Sequence, residues 1–416
     1  MRFLISLLLI VNFLYGADAT IEVIKKVESL PTIAVEDSSL DYDETFRKRF
    51  FKALVADLNV LSLFNVERKY EVSDFDTLRV NVANKDKNYV VKYDIYNDDM
   101  NKFHVDFKLI QNEEVVLSKK YRVSRENIYM FISHAIAYDI NKYMGAPSVE
   151  WMKRKIIFSR VVASKLSEIV VADYTLAYQQ VVVKGGFNLF PKWANKRQTQ
   201  IYYTSLDGFK PTLKHMDITT AKVTNLLSSD GMLVCSDVSD DSSKLLLTMA
   251  KTGQPDIYLY NVDSGHYKRL TRYSGIDVNG QFVNDNKIVF ISSRLGYPNV
   301  FSKDLRTSEV EQLVYYGRSN SACSAHGDYV VYKARESSNA FGKNTFNLHL
   351  ISSKTDFIRR LTATGVNEFP RFSRDGDAII FIKNYKSQSA IGIIRLNHNK
   401  NYLFPLSYGK IQSMDW

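Results

Sequence analysis

Cysteine is almost absent from this chain: in 416 residues it occurs only as Cys235 and Cys323. Both fall in strands of non-adjacent repeat units, too far apart for the short Cα separation a disulfide needs, so both read as small buried apolar residues. Long hydrophobic runs are missing too. The only one, Phe3 to Tyr15, is too short to span a bilayer, and no later stretch approaches about 18 apolar residues. The seven histidines, His104, His134, His215, His266, His326, His349 and His398, are scattered, with no pair at the spacing of a zinc helix motif. There is no G-x-S-x-G elbow, no G-x-G-x-x-G turn and no phosphate loop. These absences remove hydrolase, dinucleotide, nucleotide-phosphate and metal-centre chemistry. What is left is a binding protein, expected to be no enzyme and to need no cofactor or metal.

Charge of one sign is in excess, at +10, but the Lys and Arg residues are spread evenly and form no basic stripe, so no nucleic-acid partner is expected. Acidic pairs are explained locally. Asp240-Asp241 lies in a turn, as does His326-Gly-Asp328, where such residues favour the turn geometry, and Asp98-Asp99 is a second such pair. The first 19 residues, Met-Arg, the apolar run and then Gly-Ala-Asp-Ala, describe a secretory signal cleaved near Ala19 or Gly16, with no cysteine at the cut to mark a lipoprotein. The mature protein is expected to be exported and soluble, starting at Thr20.

A repeat dominates the rest of the chain. Between about residues 187 and 409 one pattern recurs five times: a short strand, an Asp/Gly/Asn/Ser turn, an apolar strand, then two more strands. Its clearest copy is Phe369-Pro-Arg-Phe-Ser-Arg-Asp-Gly-Asp-Ala-Ile-Ile-Phe381. The lead position, Phe372, has expected equivalents at Trp193, Val238, Phe282 and Cys323, in steps of 45, 44, 41 and 49 residues, and a further 44 reaches Trp416, the last residue. A period of 40 to 50 residues with four strands per unit is the mark of a propeller blade. A sandwich with similarly spaced turns explains neither the fixed period nor the terminal lead residue. The sixth unit lacks its second strand, and Lys155-Ile-Ile-Phe-Ser159 supplies it, so Lys410 to Trp416 is expected to pair with the start of the repeat region and remove both free sheet edges. The expected fold is therefore two domains, a small N-terminal α/β domain over residues 20–150 and a six-bladed β-propeller over 151–416, closed by the C-terminal strand.

Within residues 20–150, Pro31 to Val35 reads as a strand. A helix follows, opened by Asp41 with Glu44 at capping-box spacing and carrying Phe46, Phe50, Leu54 and Leu58 on its apolar face. Arg47, Lys48 and Lys52 read as solvated surface. Tyr89 to Ile95, Lys102 to Ile110 and Glu114 to Val123 alternate as strands, and Ser124 is expected to cap a second helix that ends at Gly145-Ala-Pro147.

Connections entering the lead strands gather at one mouth of a propeller channel, so the residues three to six before each lead ring that opening. That places Phe187, Asn188, Met232, Leu233, Asp277, Arg318, Asn320, Asn367 and Glu368 as a candidate rim, with aromatic, Met, Arg and amide groups suited to gripping a protein loop or helix. The alternative is an exported propeller enzyme, a glycan-active hydrolase or lyase. It would need acids, bases or metal ligands converging in the channel, and the lead residues offer none.

The Phe-Pro-Arg-Phe-Ser-Arg-Asp-Gly repeat, the unit endings Tyr267-Lys-Arg-Leu-Thr271 and Phe357-Ile-Arg-Arg-Leu-Thr362, and the exported α/β domain together resemble the TolB family of the Gram-negative Tol-Pal system. Its blade consensus, near Pro-x-Trp-Ser-Pro-Asp-Gly, is approached at Pro370 to Gly376, whereas Trp193 is followed by Ala194-Asn-Lys. The resemblance implies a monomeric periplasmic adaptor without catalysis. Its propeller mouth would bind the peptidoglycan-associated lipoprotein Pal, holding it peripherally at the outer membrane. The N-terminal segment Thr20, Ile21, Glu22, Val23, Ile24, Lys25 and Lys26 would bind the C-terminal domain of TolA, its alternating pattern suited to adding a strand to a sheet edge. The implied role is in outer-membrane invagination during division and in envelope integrity. A Pal-facing position often filled by His in the family aligns with Met232.

Overall fold

The structure, a computed structural model, describes residues 30–251, 253–336, 344–386 and 388–416. The expected signal and the segment Thr20 to Lys26 lie outside them. In the N-terminal domain β1 (Thr32–Asp37) leads into α1 (Glu44–Leu61), followed by the short strands β2 (Asn65–Val66) and β3 (Glu71–Val72), and then by β4 (Tyr89–Asn97), β5 (Phe103–Gln111) and β6 (Glu114–Val123). The strands form one mixed sheet in the order β2-β1-β4-β5-β6, with β3 beside β1, and α2 (Tyr129–Tyr143) completes the domain. Phe46, Phe50, Leu54 and Leu58 are buried, as their spacing requires.

Three local expectations are corrected. The cap of α1 is Asp43, whose carboxylate accepts from the Phe46 backbone N–H at 2.8 Å. Asp41 stands two residues too early, because an N-cap side chain must reach the amide two or three residues on. Ser124 caps nothing; a 3-10 turn, Glu126–Ile128, leads directly into α2. Arg47 is not solvated surface but buried, its Nε 2.8 Å from Asp37 Oδ2 and its Nη1 donating to the carbonyls of Ser39 and Leu40. Its neighbours one turn on, Phe50 and Phe51, are buried and place the Arg47 stem on the inward side of the helix, and Asp37 supplies the partner that makes burial tolerable.

The remainder is a β-propeller. Four-stranded antiparallel sheets span residues 188–228, 233–269 and 277–312, and residues 318–405 form an eight-stranded sheet whose two halves meet only at the parallel pair Phe346–Val366. Lys410–Asp415 pairs antiparallel with Ile156–Ala163, as expected, and Leu166–Ala172 and Gln179–Lys184 complete that sheet. The first strands of successive sets touch in chain order, and Lys410–Asp415 touches both Val366–Phe372 and Asn188–Trp193.

Pairing corrects one lead position. Trp193, Val238, Phe282 and Phe372 each pair with the second residue of the next strand, Ile201, Leu245, Ile288 and Ile379. The residue doing so in Arg318–His326 is Ala325, opposite Val330, not Cys323. That strand carries two register shifts and no aromatic at its lead, so its sequence hides the register. With Ala325 the steps become 45, 44, 43, 47 and 44 residues, more even than expected. Both cysteines are free and buried.

The N-terminal domain shares a core with the propeller: Trp151, Tyr174, Ile393 and Phe404 pack with residues of α1 and α2. Polar groups pin the junction. His134, fully buried, lies between Asp57 at 2.9 Å and Asp173 at 3.3 Å, and Tyr174 donates to the other Asp57 oxygen. Burial opposes charge on His134, but the two carboxylates outweigh it and push its pKa up to about 9. Arg395, also buried, reaches the carbonyls of Val60 and Leu61 at the end of α1.

Candidate partner-binding site at the propeller channel

The residue before each lead turns into the channel, because side chains alternate along a strand. These residues are Lys192, Asp237, Gln281, Ser324, Arg371 and Asp415, and all of them line one channel cavity. Lys192 Nζ sits 2.7 Å from Asp415 Oδ1 and 3.6 Å from Asp237 Oδ1, one ammonium between two carboxylates. Arg371 donates to the Gln281 amide oxygen, and Gln281 Nε2 to the Ser236 carbonyl at 2.7 Å. The same positions lock neighbouring sheets together. Asp415, Asp237 and Ser324 accept from the backbone N–H of Trp193, Phe282 and Phe372 at 3.0, 2.8 and 3.3 Å. Burial pushes the Asp237 carboxyl above its ordinary value, with Lys192 and Arg371 acting against it.

The two ends of the channel differ. One, with a cavity of about 510 Å³, is polar, edged by Lys196 and Arg374, both paired with Asp240, and by Asp285 and His326. At the other end a cavity of about 230 Å³ is mostly apolar, lined by Phe190, Met232, Val278, Ala322, Phe369 and Met414. A bulge builds this second mouth. Three residues before the lead, Phe190, Asn279, Ala322 and Phe369 have φ of 54, 55, 49 and 49°, and the register of each strand shifts there. A left-handed conformation is rare for a bulky side chain such as Phe and costs on the order of 1–3 kcal/mol, so the ladders on both sides must hold it in place. Phe190 and Phe369 stand three residues before their leads, inside the window that places connections at the mouth, though neither is among the named rim candidates; the bulge is what turns them to it.

The candidate rim residues divide. Met232 is 50% exposed and lines the apolar mouth. Phe187 is half-buried, its N–H held by Asp207, and Glu368 is half-buried between Lys333 and Asn384. Arg318 contributes backbone at the start of its strand, opposite Arg335. Asn188, Leu233, Asp277, Asn320 and Asn367 are buried and present no side chain at a rim. The reason is structural: four of these five are polar groups five residues before a lead. Asn188, Asn320 and Asn367 each turn Nδ2 back to a carbonyl of the incoming connection, of Gly185, Tyr316 and Thr364. Asp277 instead pairs with Arg294 at 3.2 Å. Such a buried bond satisfies a turn that otherwise leaves a carbonyl orphaned.

Residues 151–416 match the family profile described as TolB beta propeller domain. The Tol-Pal system protein TolB of Wolinella succinogenes is 49% identical over 100% of both chains. The chain belongs to the TolB family. Its TolB relatives from Helicobacter hepaticus and Campylobacter jejuni are 43% and 44% identical, over 100% and 98% of both chains. In fold it is similar to the crystal structure of TolB from Acinetobacter baumannii, with a TM-score of 0.74 at 19% identity over 93% of this chain and 97% of that one. As a TolB-family protein it is a Tol-Pal component and not an enzyme. Asp237 and Asp415 do converge in the channel, but they share the Lys192 ammonium and bond to backbone N–H groups, which leaves them as structural ions.

Proposed function

We propose that this chain is a periplasmic adaptor that binds Pal at the apolar channel mouth and the TolA C-terminal domain through residues 20–26. In this reading residues 1–19 are a signal cleaved near Ala19 or Gly16, and residues 20–150 form the N-terminal domain. Residues 151–416 form a six-bladed ring closed by the C-terminal strand, and the adaptor works as a monomer, peripheral to the outer membrane through Pal. It supports membrane invagination at division and envelope integrity.

The observation that carries the reading is the contrast between the two mouths. One is an ion-paired polar surface, while the other offers Phe190 and Phe369 on bulged strands, with the half-exposed Met232 beside them. Apolar and aromatic groups held without conformational freedom are what a protein interface uses as anchors. The ring is supported by the chain-order contacts of the channel strands and by the pairing of Lys410–Asp415 with Ile156–Ala163.

Calorimetry with the Pal domain of the same organism tests the assignment. Met232→Ala is expected to weaken binding about tenfold, the loss of one well-packed anchor, while Lys196→Ala at the opposite mouth changes nothing. No heat of binding at tens of micromolar, or a loss on Lys196→Ala alone, would rule it out.

A further inference from the structure

Away from the channel, a groove of about 500 Å³ runs between the strand Tyr267–Arg269 with the four residues that follow it and the neighbouring sheet, at Asn299–Asp304 and Val310–Gln312. Five of its lining residues are cations, Lys268, Arg269, Arg272, Arg294 and Lys303, and none is acidic. Two carboxylates stand behind this wall. Buried Asp256 holds Arg269, and buried Asp277 holds Arg294. Among the described residues Lys268, Arg272 and Lys303 have no carboxylate at ion-pair distance.

Lys303 separates this groove from an ordinary solvated surface. Lysines at surface turns swing freely into water, but Lys303 lies in a strand paired on both sides, with Ile288 and with Val310, and is buried. Its ammonium donates to a single carbonyl, of Ser308 at 2.8 Å. Burial, with Arg294 and Lys268 nearby, pulls its pKa below the ordinary value, and Asp277 only partly offsets them. Lys192 shows the contrast, since it is buried to a similar extent but held between two carboxylates. Arg294 is also fixed, its guanidinium 4.9 Å from the Phe301 ring and 5.3 Å from those of Phe290 and Tyr273. Three of the five cations, Arg269, Arg294 and Lys303, are therefore already in place, so an arriving anion orders few side chains.

We propose that this inter-sheet groove is a binding site for a phosphate-bearing ligand with two or more negative charges. The excess of cations over carboxylates calls for a multivalent anion, and guanidinium forks beside ammonium groups match the several oxygens of phosphate better than one carboxylate does. Free phosphorylated compounds and phospholipid headgroups share that chemistry.

The test uses the full mature protein and inorganic pyrophosphate in calorimetry. Sedimentation with vesicles containing cardiolipin, whose headgroup carries two phosphates, forms the second arm. Saturable one-to-one binding of pyrophosphate is expected, weakening as salt rises. Lys268→Ala with Arg272→Ala, both exposed and safe for folding, should reduce affinity about tenfold, and Lys303→Met should reduce it further. Vesicle binding that pyrophosphate displaces and the double variant loses identifies the lipid headgroup as the source. Pyrophosphate binding without vesicle binding identifies a soluble one. The proposal is overturned if no binding appears up to about 1 mM, the weakest affinity worth calling a site, or if the double variant binds either probe like the parent. The groove shares no lining residue with the apolar mouth, so Pal binding should survive the double variant and the two readings fail separately.

Discussion

Replacing Lys192 by Met tests whether the channel is held by its ions. Met keeps the stem and removes the charge, leaving Asp415 and Asp237, formerly 2.7 and 3.6 Å from the ammonium, facing each other. Breaking a buried pair by removing one partner costs about 3–5 kcal/mol. Asp237 keeps a fifth of its side-chain surface exposed, which puts the expected loss near the low end, about 3 kcal/mol, or roughly a hundredfold in the folding equilibrium. The loss should depend on pH. Burial already raises the Asp237 pKa above 3.8 in the folded state. A raised carboxyl favours the folded state below its unfolded pKa and costs stability as pH rises through the folded one. Without Lys192 that folded pKa climbs further, so the variant should approach the parent near pH 4 and fall behind as pH rises to 7. Urea unfolding across that range measures this. Adding Asp415→Asn to Lys192→Met should recover part of the loss, because one unpaired charge is gone. Equal midpoints for parent and Lys192→Met at pH 7 would refute the argument that the ammonium holds the channel strands together.

Deleting Lys410 to Trp416 removes Ile411 and Met414, both almost fully buried and worth about 1.5–3 kcal/mol each, together with the Asp415 partner of Lys192. That approaches the whole stability of a typical domain, so the truncated chain should lose its cooperative thermal transition; a folded, soluble truncation would refute ring closure. At the domain junction the His134 pKa, up to about 9 from 6.5, means its contribution is complete below about pH 6.5 and lost as pH rises through 9. His134→Gln should therefore flatten the fall in melting temperature over that window, and an unchanged slope would show that His134 is not the group responsible. Removing residues 20–26 should abolish binding to the TolA domain in a pull-down while shifting the melting temperature little, as expected of a terminal segment.

Strand and helix positions were legible wherever side-chain alternation is coupled to burial. Phe46, Phe50, Leu54 and Leu58 mark α1, and the pairing of Lys410–Asp415 with Ile156–Ala163 could be deduced from a period that ends on Trp416. Cap and register details were not. Asp41 and Asp43 are both competent caps, and only the path of the chain into α1 selects Asp43. Cys323 and Ala325 both fit a strand written as Arg-Ser-Asn-Ser-Ala-Cys-Ser-Ala-His, and the two register shifts that decide between them leave no mark on composition.

The partner site divides along the same line. Periodicity alone placed a ring of connections at one mouth, because repeat spacing is a one-dimensional property that survives without any contact being known. Which side chains face that mouth depends on bulges and on bonds between segments distant in sequence. Asn188, Asn320 and Asn367 look like rim amides in the chain and are buried turn locks in the fold. Phe190 and Phe369 fall at the near edge of the window before each lead and become the mouth, because a left-handed residue in a bulged strand redirects its side chain. Lys192 between two aspartates, and Lys303 with none, are indistinguishable as letters in a strand. Electrostatic character belongs to the neighbours that folding brings within a few ångströms: for Lys192 two aspartates from other sheets, for Lys303 only the Ser308 carbonyl of its own hairpin.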